Sequence, residues 1–409
     1  MNEERYYIEK IKLSGYKTIY GLDLKLKDGL NILIGMNGTG KSNFLKALNS
    51  VAFLRYLRSA RRRIFHLLDY EILYRESQGN KTLNLISTVE KGNEMVEDVE
   101  IRFRADKIQL GQLAGQKNYT RKFQKKENIE KTESGTDDYK EFIMFLKEID
   151  RSVTFIPFSI IGDVPLLDED IKYSYNLEIK QIIDSPESFL WPQIRIISGL
   201  IEAIENSISN TFEKIDLFYE DDIKDMVVND IQSIVNDFFA DGIKRQLRKY
   251  TPIKDIGLSE SFSVKISNGM IFLSNVKLQF FVNNQWIQWD FLSDGTKRMF
   301  QFILEVLGEE NLVLIEEPEL GIHPTQLNLL MDFLKEQSSH KQIILSTHAP
   351  TVLNILEKDE IDRILVVKWD QRNYTNIENM SETKIVKVCE FMRTKGLLSE
   401  YWLHHDMEV

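Results

Sequence analysis

The sequence predicts an α/β fold in two lobes, interrupted by a mainly helical insertion. Three observations carry that prediction. The apolar run "LNILI" at 30–34 leads through glycines into a helix-like pattern, "NFLKALNSVAFL" at 43–54. A second apolar run, Leu312 to Ile315, stops at the paired carboxylates Glu316 and Glu317. A third, Ile343 to Leu345, stops at Ser346, Thr347 and His348. Continuous apolar runs of this length suit parallel strands covered on both faces. In open sheets of that kind ligands sit beyond the carboxyl ends of the strands.

The first run ends in the pattern G-x-x-x-x-G-K-[ST], met by Gly35, Gly40, Lys41 and Ser42. Glycines let successive backbone N–H groups curl around phosphates. The lysine reaches the β- and γ-phosphates, and the serine hydroxyl holds Mg²⁺. The helix expected from about Ser42 to Phe53 adds its positive end to the cradle.

The second run ends where two adjacent carboxylates repel each other unless a cation and a proton transfer use them. Glu316 is read as helping to position Mg²⁺, mostly through water. Glu317 is read as accepting a proton from the attacking water. His348, closing the third run, is placed to hydrogen-bond a γ-phosphate. Upstream, "WDFLSDGTKRMFQFILEVL" at 289–307 reads as a capped turn followed by a helix. Ser293 and the N–H groups near Gly295 form a second anion site at that helix start. One nucleotide already has its cradle, so the second site is expected to serve the nucleotide of another subunit.

A chain of 409 residues exceeds one hydrophobic core, so two or three packed units are expected. Apolar content of 43 % and charged content of 28 % are ordinary for a globular protein and argue against extensive disorder. The formal charge of −11 confines any nucleic-acid contact to local basic patches. A single cysteine, Cys389, excludes an intrachain disulfide framework. A cytoplasmic location is expected, since the charged opening "MNEERYYIEK" is followed by no signal-peptide pattern. No run of about 18 apolar residues appears, so no membrane partner is expected.

Three segments follow from the patterning. Residues 1–105 form the first lobe, with "YYIEKIKLSGY", "LDLKLKD", "TLNLISTVE" and "DVEIRFRAD" as strands. Residues 106–261 form the insertion. Its start, 106–140, is lysine-rich and keeps no apolar period, so it reads as a loop. "SVTFIPFSI" at 152–160 reads as a strand returning to the head, with Pro157 marking an edge or strand end. Residues 175–250 read as helical, with Ile194, Ile197, Leu200, Ile201, Ile204 and Ile208 near one face. Ile223, Val227, Ile231, Ile234, Val235 and Phe238 repeat the habit. Residues 262–409 form the second lobe, with strands at "FSVKI", "MIFLSNVKLQFFV", "QWIQWDFL" and "RILVVKWD".

Taken together these motifs resemble the ATP-binding-cassette heads of the group that includes RecF, the Rad50 and SMC proteins, and OLD-type ATPases. The resemblance is nearest to compact bacterial AAA-type ATPases with an E-E-P-E-x-x-x-H-P segment, many of them in anti-phage defence. It covers roughly residues 5–105 and 262–405. It implies a P-loop NTPase of ABC-ATPase head type, two-lobed, with ATP and Mg²⁺ as ligands. It implies that Gly35, Asn37, Gly38, Thr39, Gly40, Lys41, Ser42 and Asn43 form the Walker A loop. Glu316 falls at the magnesium-associated carboxylate, in place of the more usual aspartate. Glu317 falls at the catalytic base, and His348 at the switch histidine. Leu292, Ser293, Asp294 and Gly295 match the signature that contacts the opposing subunit's ATP. His323 and Pro324 lie in the D-loop region. No residue is assigned as the Q-loop glutamine; Gln109, Gln112 and Gln116 are candidates.

The implied partner is a second copy, head to tail, in a dimer or higher oligomer. Beyond it two readings stand open. In one, ATP-dependent engagement controls a separate effector protein, as in anti-phage defence. In the other, a RecF- or Rad50-like ATPase acts on double-stranded DNA in repair or maintenance, using basic clusters such as "RYLRSARRR", "RKFQKK" and "KRQLRK". A transporter head is a weaker third. No nuclease motif is visible, so any cutting is expected of a partner.

Overall fold

The computed structural model describes residues 6–52, 69–77, 82–91, 98–108, 116–124, 153–156, 171–176, 181–182, 195–212, 220–268, 270–308, 310–372 and 374–404. In chain order the first elements are β1 (Tyr6–Ser14), β2 (Leu22–Lys25), β3 (Leu30–Ile34) and α1 (Lys41–Ala52). Next come β4 (Asp69–Glu76), β5 (Thr82–Lys91), β6 (Asp98–Ile108), β7 (Gln116–Gln124) and β8 (Val153–Ile156). There follow β9 (Ile171–Asn176), β10 (Gln181–Ile182), α2 (Arg195–Phe212), α3 (Glu220–Phe238) and α4 (Asp241–Tyr250). Five strands come next: β11 (Asp255–Leu258), β12 (Ser263–Ser267), β13 (Met270–Val276), β14 (Leu278–Val282) and β15 (Gln285–Ile287). The chain ends with α5 (Asp294–Val306), β16 (Leu312–Glu316), α6 (Pro324–Gln337), β17 (Gln342–Thr347), β18 (Ile364–Trp369), β19 (Thr375–Asn379), α7 (Glu382–Thr394) and α8 (Leu398–His404).

The chain divides into two compact units. One comprises residues 1–158, 309–320 and 334–409; the other comprises 159–308 and 321–333.

The first unit holds a six-stranded sheet in the order β19-β18-β3-β17-β16-β8. The five strands β18 to β8 run parallel, and β19 closes one edge antiparallel. Every residue of β3, β16 and β17 is buried, as a sheet covered on both faces requires. Helix α1 packs on β16, β17 and β8, with Phe44, Leu45 and Leu48 fully inside. Each such side chain contributes about 2 kcal/mol of burial. Parallel register has a direct consequence for function. Ile34 stands opposite Thr347, and Ser346 stands opposite Glu316. The loop after β3, the two glutamates and His348 therefore leave the sheet at one edge.

A second sheet of the same unit is antiparallel, in the order β2-β1-β4-β5-β6-β7. In β1 the buried Ile11 and Leu13 alternate with Lys10 and Lys12. Lys12 pairs with Glu71 directly across the ladder at 2.7 Å, an exposed pair that solvent screens. Residues 116–124, expected as loop, form β7. Their polar, lysine-bearing composition is what a strand with one partner carries, because charge on an edge discourages pairing with other chains.

The second unit combines α2–α6 with two small sheets, β10-β9-β13-β12 and β11-β14-β15. The apolar stripes expected at 194–208 and 223–238 are packing faces. Ile197, Leu200, Ile204 and Ile208 of α2 are buried, as are Val227, Ile231 and Val235 of α3. An aromatic core joins these parts: Trp289 and Phe280 lie 5.4 and 5.5 Å from Phe300 of α5, between ring centroids. The arginine cluster Arg55 to Arg63, Ile194, Pro157, Gln109 and Gln112 lie outside the described residues.

Candidate nucleotide site

The loop between β3 and α1 is shaped by glycines that have no room for a side chain. A Cβ on Gly35 would stand 2.1 Å from the carbonyl oxygen of Val367 in β18. Gly40 has φ +100, and its Cβ would meet Thr375 of β19 at 1.9 Å. Gly38, at φ +81, faces open space at the loop tip beside the exposed Asn37. Thr375 also ties the loop to the first strands. Its N–H donates to Thr18 O at 2.8 Å, and its hydroxyl meets that of Thr18 at 2.7 Å. Thr18 in turn accepts from Asn43 Nδ2 at 2.9 Å. Thr39 is buried, its hydroxyl donating to Met36 O. Lys41 is 4 % exposed and donates from Nζ to Gly35 O and Met36 O at 2.7 and 2.9 Å. The curled loop thus has a cation in its centre and a helix N-terminus beneath it, the arrangement that binds phosphate. Ser42, half-buried, opens that helix.

Glu316 is the last residue of β16. It is 1 % exposed, and neither carboxylate oxygen has a hydrogen-bond partner among the described residues. A desolvated charge of this kind costs several kcal/mol without compensation, on the order of 3–5. The donor set fits magnesium, which takes one or two carboxylates plus substrate phosphates and keeps several waters. Glu317 follows with φ +46, a left-handed conformation that costs a glutamate on the order of 1–3 kcal/mol. Its N–H donates to Ser346 O at 2.9 Å, and its carbonyl accepts from Leu320 N at 3.2 Å. The turn that holds this strain is thereby bonded to the end of β17.

His348 begins just past β17. Its Nδ1 lies 3.1 Å from Glu319 Oε1 and 3.8 Å from Glu317 Oε1. The nearer contact has ion-pair distance but lacks aligned hydrogen-bond geometry, for Nδ1 is otherwise unpartnered among the described residues. Glu319 Oε1 also accepts from Thr347 Oγ1 at 2.7 Å and from the His348 N–H at 2.9 Å.

The structure therefore brings Gly35 to Asn43, Glu316, Glu317 and His348 into one unit, at one edge of one sheet. Ser293 and Gly295 belong to the other unit. Ser293 caps α5, accepting from Thr296 N at 3.2 Å. A side chain on Gly295 would strike the tip of Gln326, 2.0 Å away. His323 caps α6 in a similar way, its Nδ1 accepting from Thr325 N at 3.3 Å. Of the glutamine candidates only Gln116 is described, at the start of β7.

Sequence reasoning missed Glu319, Ser346, Thr347, Val367 and Thr375. The first three had a signal, being polar residues within two positions of predicted site residues. Val367 and Thr375 had none, since they touch the glycines from more than 300 positions away.

This geometry defines a P-loop nucleotide-binding fold: a central parallel sheet, a glycine-rich loop with its lysine, and acidic residues ending the strand two places away in that sheet. Over residues 30–354 the chain matches, and so belongs to, the family described as "AAA domain, putative AbiEii toxin, Type IV TA system". It is similar to the DNA replication and repair protein RecF of Oceanobacillus iheyensis, 30 % identical over 76 residues, 19 % of this chain and 20 % of RecF. It is also similar to endonuclease GajA of Bacillus cereus, 23 % identical over 381 residues, 87 % of this chain and 57 % of GajA. The chain spans less than two thirds of the length of these curated relatives. Among solved structures, the Smc head domain from Pyrococcus furiosus, bound to the C-terminal domain of ScpA, aligns with a TM-score of 0.45 and 13 % identity. That alignment covers 95 % of this chain and 100 % of the other. The SMC head domain from Thermotoga maritima aligns with a TM-score of 0.39 and 12 % identity, over 91 % and 99 %. No described helix is long and apolar enough to cross a membrane.

Proposed function

We propose that the protein binds ATP with Mg²⁺ and hydrolyses it, using ATP to engage a second copy of the chain. The observation that carries this is Glu316: a buried carboxylate without a partner among the described residues, on the sheet edge where the phosphate loop opens. In this reading the N–H groups of Gly38 to Ser42 and the Lys41 ammonium hold the phosphates. Asn37 and Asn43 flank them. Ser42 and Glu316 would hold Mg²⁺, which when bound neutralises charge on the β- and γ-phosphates. Glu317 orients the attacking water and takes its proton. His348 contacts the γ-phosphate from the end of β17. Ser293 and Gly295 act on the nucleotide of the other copy, so a head-to-tail dimer holds two sites.

Loss of the γ-phosphate then removes the group that both copies grip, and engagement ends. We further propose a cytoplasmic role in which this cycle controls a separate effector, in defence against phage. The extended similarity to GajA supports that reading. The alternative, direct action on double-stranded DNA, is favoured by the exposed cations Arg245, Arg248 and Lys249 on α4 and by the similarity to RecF.

The test is light scattering on the Glu317→Gln protein with and without Mg·ATP. A doubled mass with ATP, lost on adding Ser293→Arg, supports the composite site. A mass indifferent to ATP, with ATP bound, overturns it.

A further inference from the structure

Trp286 has no task in the readings above, yet its ring is 42 % exposed in the unit that also carries the basic helix α4. Strands β14 and β15 are joined by Asn283 and Asn284, whose φ values of +51 and +64 make a tight two-residue turn. That turn sets the register. Asp255, Phe281 and Trp286 stand in one row across β11, β14 and β15. The alternating residues Ile256, Phe280 and Val282 are buried, so the row lies on the outer face of this small sheet. There the Trp286 ring meets Phe281 at 5.3 Å between centroids. It also covers Gly257, where a Cβ would stand 3.3 Å from the indole. The end of the row is cationic. Lys244 Nζ of α4 pairs with Asp255 Oδ1 at 2.7 Å, and Arg248 Nε donates to Lys254 O at 2.6 Å. Burial alone would raise the Asp255 carboxyl, but its hydrogen bonds with Lys244 and the Ile256 N–H, and the charges of Lys244 and Arg248, hold it below the ordinary aspartate value. Residues 241–255 carry five cations against two carboxylates, in a chain whose formal charge is −11. Arg245, Arg248 and Lys254 are exposed.

We propose that this face binds single-stranded nucleic acid: a base stacks on Trp286 while phosphates meet Arg245, Arg248 and Lys254. The two halves of the surface select that ligand together. Every base has a π-face, so an exposed indole accepts it whatever the sequence. The cations supply the sequence-independent attraction to the backbone. Duplex DNA would use the cations alone, because its bases are already stacked inside the helix and must leave it to be reached. An acidic polypeptide would likewise leave the ring idle. The phosphate loop belongs to the other unit, and the binding proposed for this face requires no ATP. It therefore goes beyond the ATPase reading and differs from action on double-stranded DNA.

The experiment is fluorescence anisotropy of a labelled oligothymidylate of about 15 nucleotides, near the upper span of one such surface, titrated with the nucleotide-free full chain. Wild type should bind it, with affinity falling as salt rises. Trp286→Leu keeps an apolar cover over Gly257 and loses the stacking face, so the fold should stand while binding weakens about tenfold. Trp286→Phe retains a ring and should stay within about threefold of wild type. Arg245→Ala removes one phosphate contact and should flatten the logarithmic salt dependence by about 0.7. A duplex of the same length should bind more weakly than the single strand, and Trp286→Leu should leave that weaker binding unchanged. Four results overturn the proposal. They are no binding at low salt, equal binding by wild type and Trp286→Leu, a duplex bound as tightly as the single strand, and full displacement of the oligonucleotide by polyglutamate of equal charge.

Discussion

Glu316 and Ser346 stand opposite each other in the parallel register of β16 and β17, and both side chains are buried with no hydrogen-bond partner among the described residues. Two polar groups left unpaired at the carboxyl edge of a central sheet are costly for stability. Their place makes sense if the edge is completed by a cation and phosphates.

Replacing the charge at Glu316 separates stability from function. Glu316→Gln should raise the melting temperature of the nucleotide-free protein, since a neutral amide costs less to bury than an unpaired carboxylate. The further rise produced by Mg·ATP in wild type should vanish. Thermal scans in four conditions check both signs. A melting temperature that falls in the nucleotide-free variant would mean that Glu316 already has a compensating partner.

Lys41 draws its contacts from the loop it stabilises and would give them to phosphate. Lys41→Ala should weaken binding of a fluorescent ATP analogue by about 100-fold or more, roughly 3 kcal/mol, the scale of a desolvated charge-assisted contact. Equilibrium titration reads this directly. Retained affinity would move the phosphate site elsewhere.

Gly40 is restricted twice, by φ +100 and by Thr375 at 1.9 Å from any added Cβ. Gly40→Ala should therefore cost about 2 kcal/mol or more and should disturb nucleotide binding with it. Adding Thr375→Ala, which removes the hydroxyl oxygen 1.9 Å away together with the methyl, should recover part of the loss. Recovery would localise the clash; no recovery would assign the loss to backbone strain alone.

A pH effect comes from a site remote from the nucleotide. Burial alone would raise the Glu360 carboxyl, but its hydrogen bonds with Lys335 and the Glu357 N–H, and the charges of Lys335 and Arg363, hold it below the ordinary glutamate value. A depressed carboxyl contributes stability above its unfolded pKa and loses it as pH falls through the folded value. Lys335→Met should thus lower stability at neutral pH, by about 1 kcal/mol or less for a partly exposed pair. The difference from wild type should shrink under acid conditions. Denaturation at a series of pH values tests the sign.

Much of this architecture was legible where sequence signals are local. "LNILI", Leu312 to Ile315 and Ile343 to Leu345 are apolar because they lie inside one sheet, and each became a buried strand. Ser293 announced the start of α5 because capping chemistry acts over three residues. What stayed hidden depends on partners distant in the chain. Nothing near Gly35 or Gly40 foretells Val367 and Thr375, though these explain why glycine is needed. The strand β7 was hidden for a different reason: an edge strand gains its stability from a neighbour, here β6, and needs no apolar period of its own. Glu319 was visible in the E-E-P-E segment, but its bonds with the Thr347 hydroxyl and the His348 N–H form only because β16 and β17 are adjacent.

The proposed ATPase cycle depends on Glu317 as the group that activates water beside bound ATP. The direct measurement is phosphate release by wild type and Glu317→Gln at saturating Mg·ATP, with ATP affinity determined for both. Wild type should turn ATP over, the variant should lose about 100-fold or more, and its affinity should stay within about threefold of wild type. Equal turnover in the two proteins, with ATP bound to both, would contradict it.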